Sequence, residues 1–162
     1  MPKFSGRERR RHERYETDVK VEFYVSFDLK TKVDFCVEEN VRHGAISRKY
    51  SAISRNVSAE GIAFESTKDL NPGDRLYMEV YVPTSKAPIH MEGEVRWCQP
   101  MHDPVEGKKI IFYDTGVRIF SVEGSSVEKS LFYDKENCII WSVVLESIFG
   151  SFKQLTLKPK VW

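Results

Sequence analysis

A chain of 162 residues with 41% apolar and 12% aromatic side chains can bury one core without disulfide or metal staples, so a single domain over residues 1–162 is expected. Its formal net charge of +1 hides an asymmetry: Lys3 and five arginines against Glu8 and Glu13 give residues 1–14 a charge of +4, leaving −3 for the rest. Positive charge confined to one short stretch suits a small anionic ligand and argues against the broad basic face of a DNA-binding protein.

Three cysteines, Cys36, Cys98 and Cys138, are odd in number and far apart, which speaks against a disulfide framework and implies a reducing, cytoplasmic setting. The N-terminus lacks the apolar run of an export signal. The longest apolar stretch, Cys138 to Phe149, is broken by Ser142, Glu146 and Ser147, so no membrane span is expected.

In chain order, residues 1–16 are polar and aperiodic and read as a flexible basic arm that orders only against a partner. Val19, Val21, Phe23, Val25 and Phe27 then alternate with polar or amphipathic neighbours, the pattern of a half-buried first strand. Residues 28–48 hold two short β-like pieces, Val33 to Val37 and Ala45-Ile46, around His43-Gly44, and read as a hairpin or long loop. Lys49 to Val57 resumes as a strand, and Ile62 to Glu65 follows a tight turn. Asn71-Pro72-Gly73-Asp74 is a strong turn signal, followed by a strand from Leu76 to Val82 that ends at Pro83. Ile89 to Cys98 and Ile110 to Val122 complete the set, the latter with a bulge or second turn at Asp114-Thr115-Gly116. This spacing predicts a mainly β fold, a small six-stranded antiparallel barrel over residues 17–122. Beyond it, residues 123–162 read as a C-terminal helical segment and tail. Ser125 and Glu128 have capping-box spacing, and Ile139, Ile140, Val143, Val144 and Ile148 fall at helical intervals before Gly150. Leu155-Thr156-Leu157 has weak strand character.

Two stretches carry the chemistry. Arg7-Glu8-Arg9-Arg10-Arg11-His12-Glu13-Arg14 packs five arginines into eight residues, each a planar fork of donors suited to phosphate oxygens and to the edge of guanine. In Asn56-Val57-Ser58-Ala59-Glu60-Gly61, Asn56 and Ser58 share one strand face, Val57 points into the core, and Gly61 is expected to supply a positive φ at the reversal.

Together these stretches resemble the PilZ family of bacterial cyclic di-GMP receptors, whose signature is an RxxxR arm followed by [D/N]xSxxG. Here the matching residues are Arg10 and Arg14, then Asn56, Ser58 and Gly61; Arg7 and Arg11 satisfy the first spacing as well. The Gly93-Glu94-Val95-Arg96-Trp97 and Gly116-Val117-Arg118-Ile119-Phe120 stretches look like later strands of such domains, and the resemblance runs from about residue 7 to 122. Against that family, residues 28–48 look like an insertion that could carry a partner surface, and Asn56 stands where many members have aspartate. The resemblance implies a cytosolic receptor binding cyclic di-GMP through Arg10, Arg14, Asn56, Ser58 and Gly61, with Arg9 and Arg11 as further candidates. It also implies an output to an unidentified protein of motility, adhesion or exopolysaccharide machinery.

Two rivals share the same sequence features: a ligand-free PilZ-like adaptor, and a small barrel using the arm on RNA. Cys98 and His102 have the spacing of half a metal site without a second pair, so no metal or other cofactor is expected. No nucleophile elbow, phosphate loop or HExxH motif is present, and no enzyme is expected. Tyr24, Trp97 and Tyr113 read as core or rim aromatics, and the sequence does not specify an oligomeric state.

Overall fold

The computed structural model describes residues 25–38, 48–83 and 85–150. Its strands are β1 (Phe27–Asp28), β2 (Lys32–Val37), β3 (Lys49–Val57), β4 (Gly61–Ser66), β5 (Arg75–Val80), β6 (Ile89–His102), β7 (Ile110–Val122), β8 (Ser125–Ser126), β9 (Phe132–Asp134) and β10 (Ile139–Trp141). Two short helices, α1 (Val127–Ser130) and α2 (Val143–Phe149), lie in the C-terminal part. The wall of a closed antiparallel barrel runs β3, β2, β5, β6, β7, β4, with β4 returning to pair β3.

Period-two alternation builds this wall. On β5, Leu76, Met78 and Val80 are buried while Arg75 and Tyr77 face solvent. The centre is aromatic: Phe35 stacks between Phe64 at 5.1 Å and Tyr50 at 5.5 Å, and burying each such ring contributes about 1.5–3 kcal/mol. The turn before β5 has Pro72 and Gly73 at its centre, with Gly73 at φ 98° and the Asp74 N–H donating to the Asn71 carbonyl at 3.0 Å.

In the segment read as a hairpin or long loop, the β-like piece Val33 to Val37 is a strand of the barrel wall. Val33 and Phe35 point into the core, and β2 is hydrogen-bonded on both sides, to β3 and to β5. Without it the wall could not close. Residues 39–47, including Ala45-Ile46, lie outside the described residues. So do the basic arm, residues 19–24 of the expected first strand, and the 151–162 tail; of that first strand only Phe27–Asp28 is seen, paired to the end of β3. The strand expected to reach Val82 ends at Val80, and β6 runs on to His102. Beyond Glu94 on β6 and Tyr113 on β7 no third strand pairs among the described residues, so the hairpin continues as a two-stranded ribbon with Val105 89% exposed at its tip.

The C-terminal part departs most from its sequence pattern. Ile139 and Ile140 fit helical spacing but belong to a β9–β10 hairpin, where Cys138 takes φ 56° and the Asp134 carboxylate accepts from the Glu136 and Asn137 backbone N–H groups. The helix begins only at Val143, capped by Ser142, and ends at Gly150 with φ 97°. The cap of α1 is Ser126, which accepts from the Lys129 N–H at 3.2 Å, and not Ser125.

Candidate functional site

Two β-bulges shape the outer wall where β3, β4, β7 and β6 adjoin. On β3 the register shifts between Ser54 and Asn56, so Arg55 is the extra residue; on β6 it shifts between Val95 and Trp97, and Arg96 is extra. Uninterrupted alternation from inward Val95 would turn Trp97 into the core. The added residue instead leaves both Arg96 and Trp97 on the outer face, and the first bulge does the same for Arg55 and Asn56. The expected irregularity at Asp114-Thr115-Gly116 is not there: that stretch pairs regularly with β4, and the bulge sits opposite it on β6.

The β3–β4 turn completes the wall. Val57 and Ala59 are buried, which fixes the turn from inside, and the Ser58 N–H donates to the Gly61 carbonyl at 2.9 Å. The Ser58 hydroxyl accepts a long 3.4 Å bond from the Glu60 N–H and keeps its own hydrogen to donate outward. Gly61 is not in the left-handed region, which among the described glycines is taken by Gly73, Gly124 and Gly150. Its role is clearance: a Cβ there would stand 2.7 Å from the Val117 carbonyl oxygen.

The result is an open hollow of about 320 Å³ whose lining includes Asn56, Ser58, Glu60, Gly61, Arg96, Trp97 and Arg118. The indole of Trp97 lies across Gly116, where a Cβ would be 2.2 Å from the ring, and 41% of Trp97 remains exposed. Arg118 rests 5.9 Å from the Phe120 ring centroid. Beside the hollow, Arg55 grips Asp114 with both carboxylate oxygens 3.0 Å from Nη2, so its charge is already used. Among the described residues Arg96 and Arg118 make no ion pair and the Asn56 carboxamide has no hydrogen-bond partner. Two cationic forks, an aromatic face and an amide thus converge on one surface against the single carboxylate of Glu60, a set whose net charge suits a flat, anionic, hydrogen-bonding ligand.

A family model for the PilZ domain matches residues 8–131, from the arginine-rich stretch through the whole barrel. The chain belongs to the PilZ domain family. That family is one of cyclic di-GMP receptors, whose members generally act as binding or adaptor proteins. A solved structure of the Bacillus subtilis inhibitor of motility MotI/DgrA is similar over 62% of this chain at 21% identity and a TM-score of 0.45; the match spans 43% of that protein's length. No curated relative matches the chain.

Of the PilZ signature residues, Asn56, Ser58 and Gly61 come together in the hollow. Arg9, Arg10, Arg11 and Arg14 lie outside the described residues. The register does fix where the preceding chain joins the barrel. Phe27 pairs with Val57 and Asp28 with Asn56, so going backwards from β1 the chain heads towards the Ser58 turn.

Arg96, Arg118 and Trp97 are the residues that sequence reasoning left out. Arg118 was accessible to it, since it alternates with buried Val117 and Ile119; Trp97 was not, because the bulge at Arg96 breaks the period. Cys98 faces inward, its sulfur accepting from the Leu70 N–H and the Thr115 hydroxyl at 3.4 Å each, which sets it apart from His102 at the ribbon. Among the described residues no group of His, Cys, Asp and Glu is placed to hold a metal ion, and no helix is long and apolar enough to cross a membrane.

Proposed function

We propose that this PilZ barrel is a cytoplasmic receptor for cyclic di-GMP, binding it between the outer wall and the N-terminal arginines and performing no catalysis. The observation that carries the reading is the convergence of Asn56, Ser58 and the space cleared by Gly61 with Arg96, Trp97 and Arg118 in one hollow, at the place where the N-terminal chain enters the barrel.

In this reading the guanine edge meets the Asn56 carboxamide and the Ser58 hydroxyl, a purine face lies on Trp97, and the phosphates are met by arginine forks. Arg10 and Arg14 are the clamps, supplemented by Arg9 and Arg11 and by Arg96 and Arg118 from the wall. Arg14 stands eleven residues before Val25, a tether of up to about 40 Å at full extension, so reach is no obstacle. Asn56 in place of aspartate bonds the guanine donors less strongly than a carboxylate would. Drawing the arm onto the wall changes the surface around the Ser58 turn, and that change is what a motility, adhesion or exopolysaccharide partner reads.

The test is mutational coupling measured by calorimetry. Asn56→Ala and Ser58→Ala should each weaken cyclic di-GMP, and each should be strongly non-additive with Arg10→Ala because they share one bound ligand. Negligible effects from both wall variants would reduce Asn56 and Ser58 to turn-forming residues and overturn the reading.

A further inference from the structure

The turn that carries Ser58 and Gly61 is held from behind by the C-terminal segment. Ala59, in the middle of that turn, is 1% exposed, and its carbonyl accepts a hydrogen bond from the Ser142 hydroxyl at 2.5 Å. Ser142 is equally buried and is also the N-cap of α2, accepting from the Val144 N–H at 3.0 Å. One hydroxyl therefore spends its donor on the turn and its acceptor on the start of the helix. These groups stand 83 residues apart in sequence.

A second tie runs to the root of the N-terminal chain. Phe27, on β1, meets Trp141 edge-on at 6.3 Å and Phe149 at 5.5 Å, bracketing α2 at both ends. Trp141, Val144, Leu145 and Ile148 are buried in the same core as Val57 and Ile62. The segment 141–149 thus touches the turn that lines the hollow, through Ser142, and the β1 strand that pairs with Asn56 and Val57, through its two aromatic rings.

We infer that Ser142 is a positioning residue for the ligand site and that α2 is an element whose stability responds to occupancy of the hollow. Because Ala59 sits between Ser58 and Gly61, any load that fixes the turn also fixes the group that caps α2. By linkage the converse holds: a protein that grips or loosens 141–149 changes affinity at the hollow by the same factor. The nature of the ligand rests on the proposed function above; the coupling between turn and helix does not.

Amide hydrogen exchange separates the two. In the ligand-free protein, Ser142→Ala should speed exchange of the Ser58 amide several-fold and leave the β5–β6 amides unchanged, while Ser142→Thr, which restores the hydroxyl, should return it towards wild type. In the wild type, saturating cyclic di-GMP should slow the amides of Glu146 and Gly150, which close the turns of α2. Ser142→Ala should raise the Kd for cyclic di-GMP about tenfold. If wild-type protein does not bind cyclic di-GMP, the receptor reading fails and the ligand-free exchange at Ser58 still decides the coupling. An unchanged Ser58 amide in Ser142→Ala overturns the coupling, and so does a ligand that binds tightly without slowing Glu146 and Gly150, an arm that needs no variant to fold.

Discussion

Replacing Gly61 by alanine should damage the barrel where the ligand wall is built. A Cβ at this position would lie 2.7 Å from the Val117 carbonyl oxygen, 0.7 Å short of the 3.4 Å at which ordinary contact begins. The obstacle is backbone: Val117 pairs with Ile62 on one side and Val95 on the other, so no side chain can swing aside and β4 must part from β7. Forcing one extra carbon into such a contact costs about 1–3 kcal/mol. For a chain of this size each kcal/mol lowers the midpoint by about 2–4 °C, so Gly61→Ala should melt about 2–12 °C below wild type in circular dichroism. The bonds on either side, Ser58 N–H to the Gly61 carbonyl at 2.9 Å and Ile119 N–H to the Glu60 carbonyl at 2.8 Å, should lengthen, and exchange at Ser58 and Ile119 should rise. A midpoint unchanged to within about a degree, with both amides still protected, would refute the clearance argument.

Gly116→Ala meets a different obstacle, because its Cβ would strike the Trp97 indole, a half-exposed ring that can move outward. The melting point should change little, tryptophan fluorescence should shift to the red, and cyclic di-GMP should lose the roughly 1–3 kcal/mol that stacking a base on an aromatic ring supplies; an unaltered affinity would remove Trp97 from the site. Near the start of β6 the Glu123 carboxylate accepts from the His90 N–H at 2.8 Å and faces its ring, which holds its pKa below the ordinary 4.5. A depressed carboxylate stabilises the fold above its unfolded value and loses that contribution as pH falls through the folded value. Glu123→Gln should therefore be less stable than wild type near neutrality, by a difference that shrinks as pH falls through the folded value, and a pH-independent difference would contradict this.

The parts of this molecule that were legible in the sequence are those with one cause. Leu76, Met78 and Val80 alternate because one face is buried; Asn71-Pro72-Gly73-Asp74 turns because Pro72 and Gly73 each prefer the φ the turn requires. Val33 and Phe35 alternate just as clearly, yet β2 was read as part of a hairpin or long loop, an insertion by comparison with the family, and its pairing with both β3 and β5 is not encoded in its own periodicity. Ile139 and Ile140 fit helical spacing equally well; the Asp134-based turn that diverts them depends on side-chain to backbone bonds that periodicity does not encode. At the site, the motif identified Asn56, Ser58 and Gly61, but the bulge at Arg96 breaks the alternation that would have told whether Trp97 is core or rim, and the reason for Gly61 proved to be the carbonyl of Val117, distant along the chain, not its own φ.

Titration calorimetry of the full chain with cyclic di-GMP, set against GTP and GMP, tests the central claim. Wild type should bind cyclic di-GMP alone, and Arg14→Ala should abolish binding with the ligand-free melting point nearly unchanged, because each charge-assisted bond contributes about 1.5–3 kcal/mol to the complex. No heat with cyclic di-GMP, or an Arg14→Ala protein that binds it like wild type, would contradict the account.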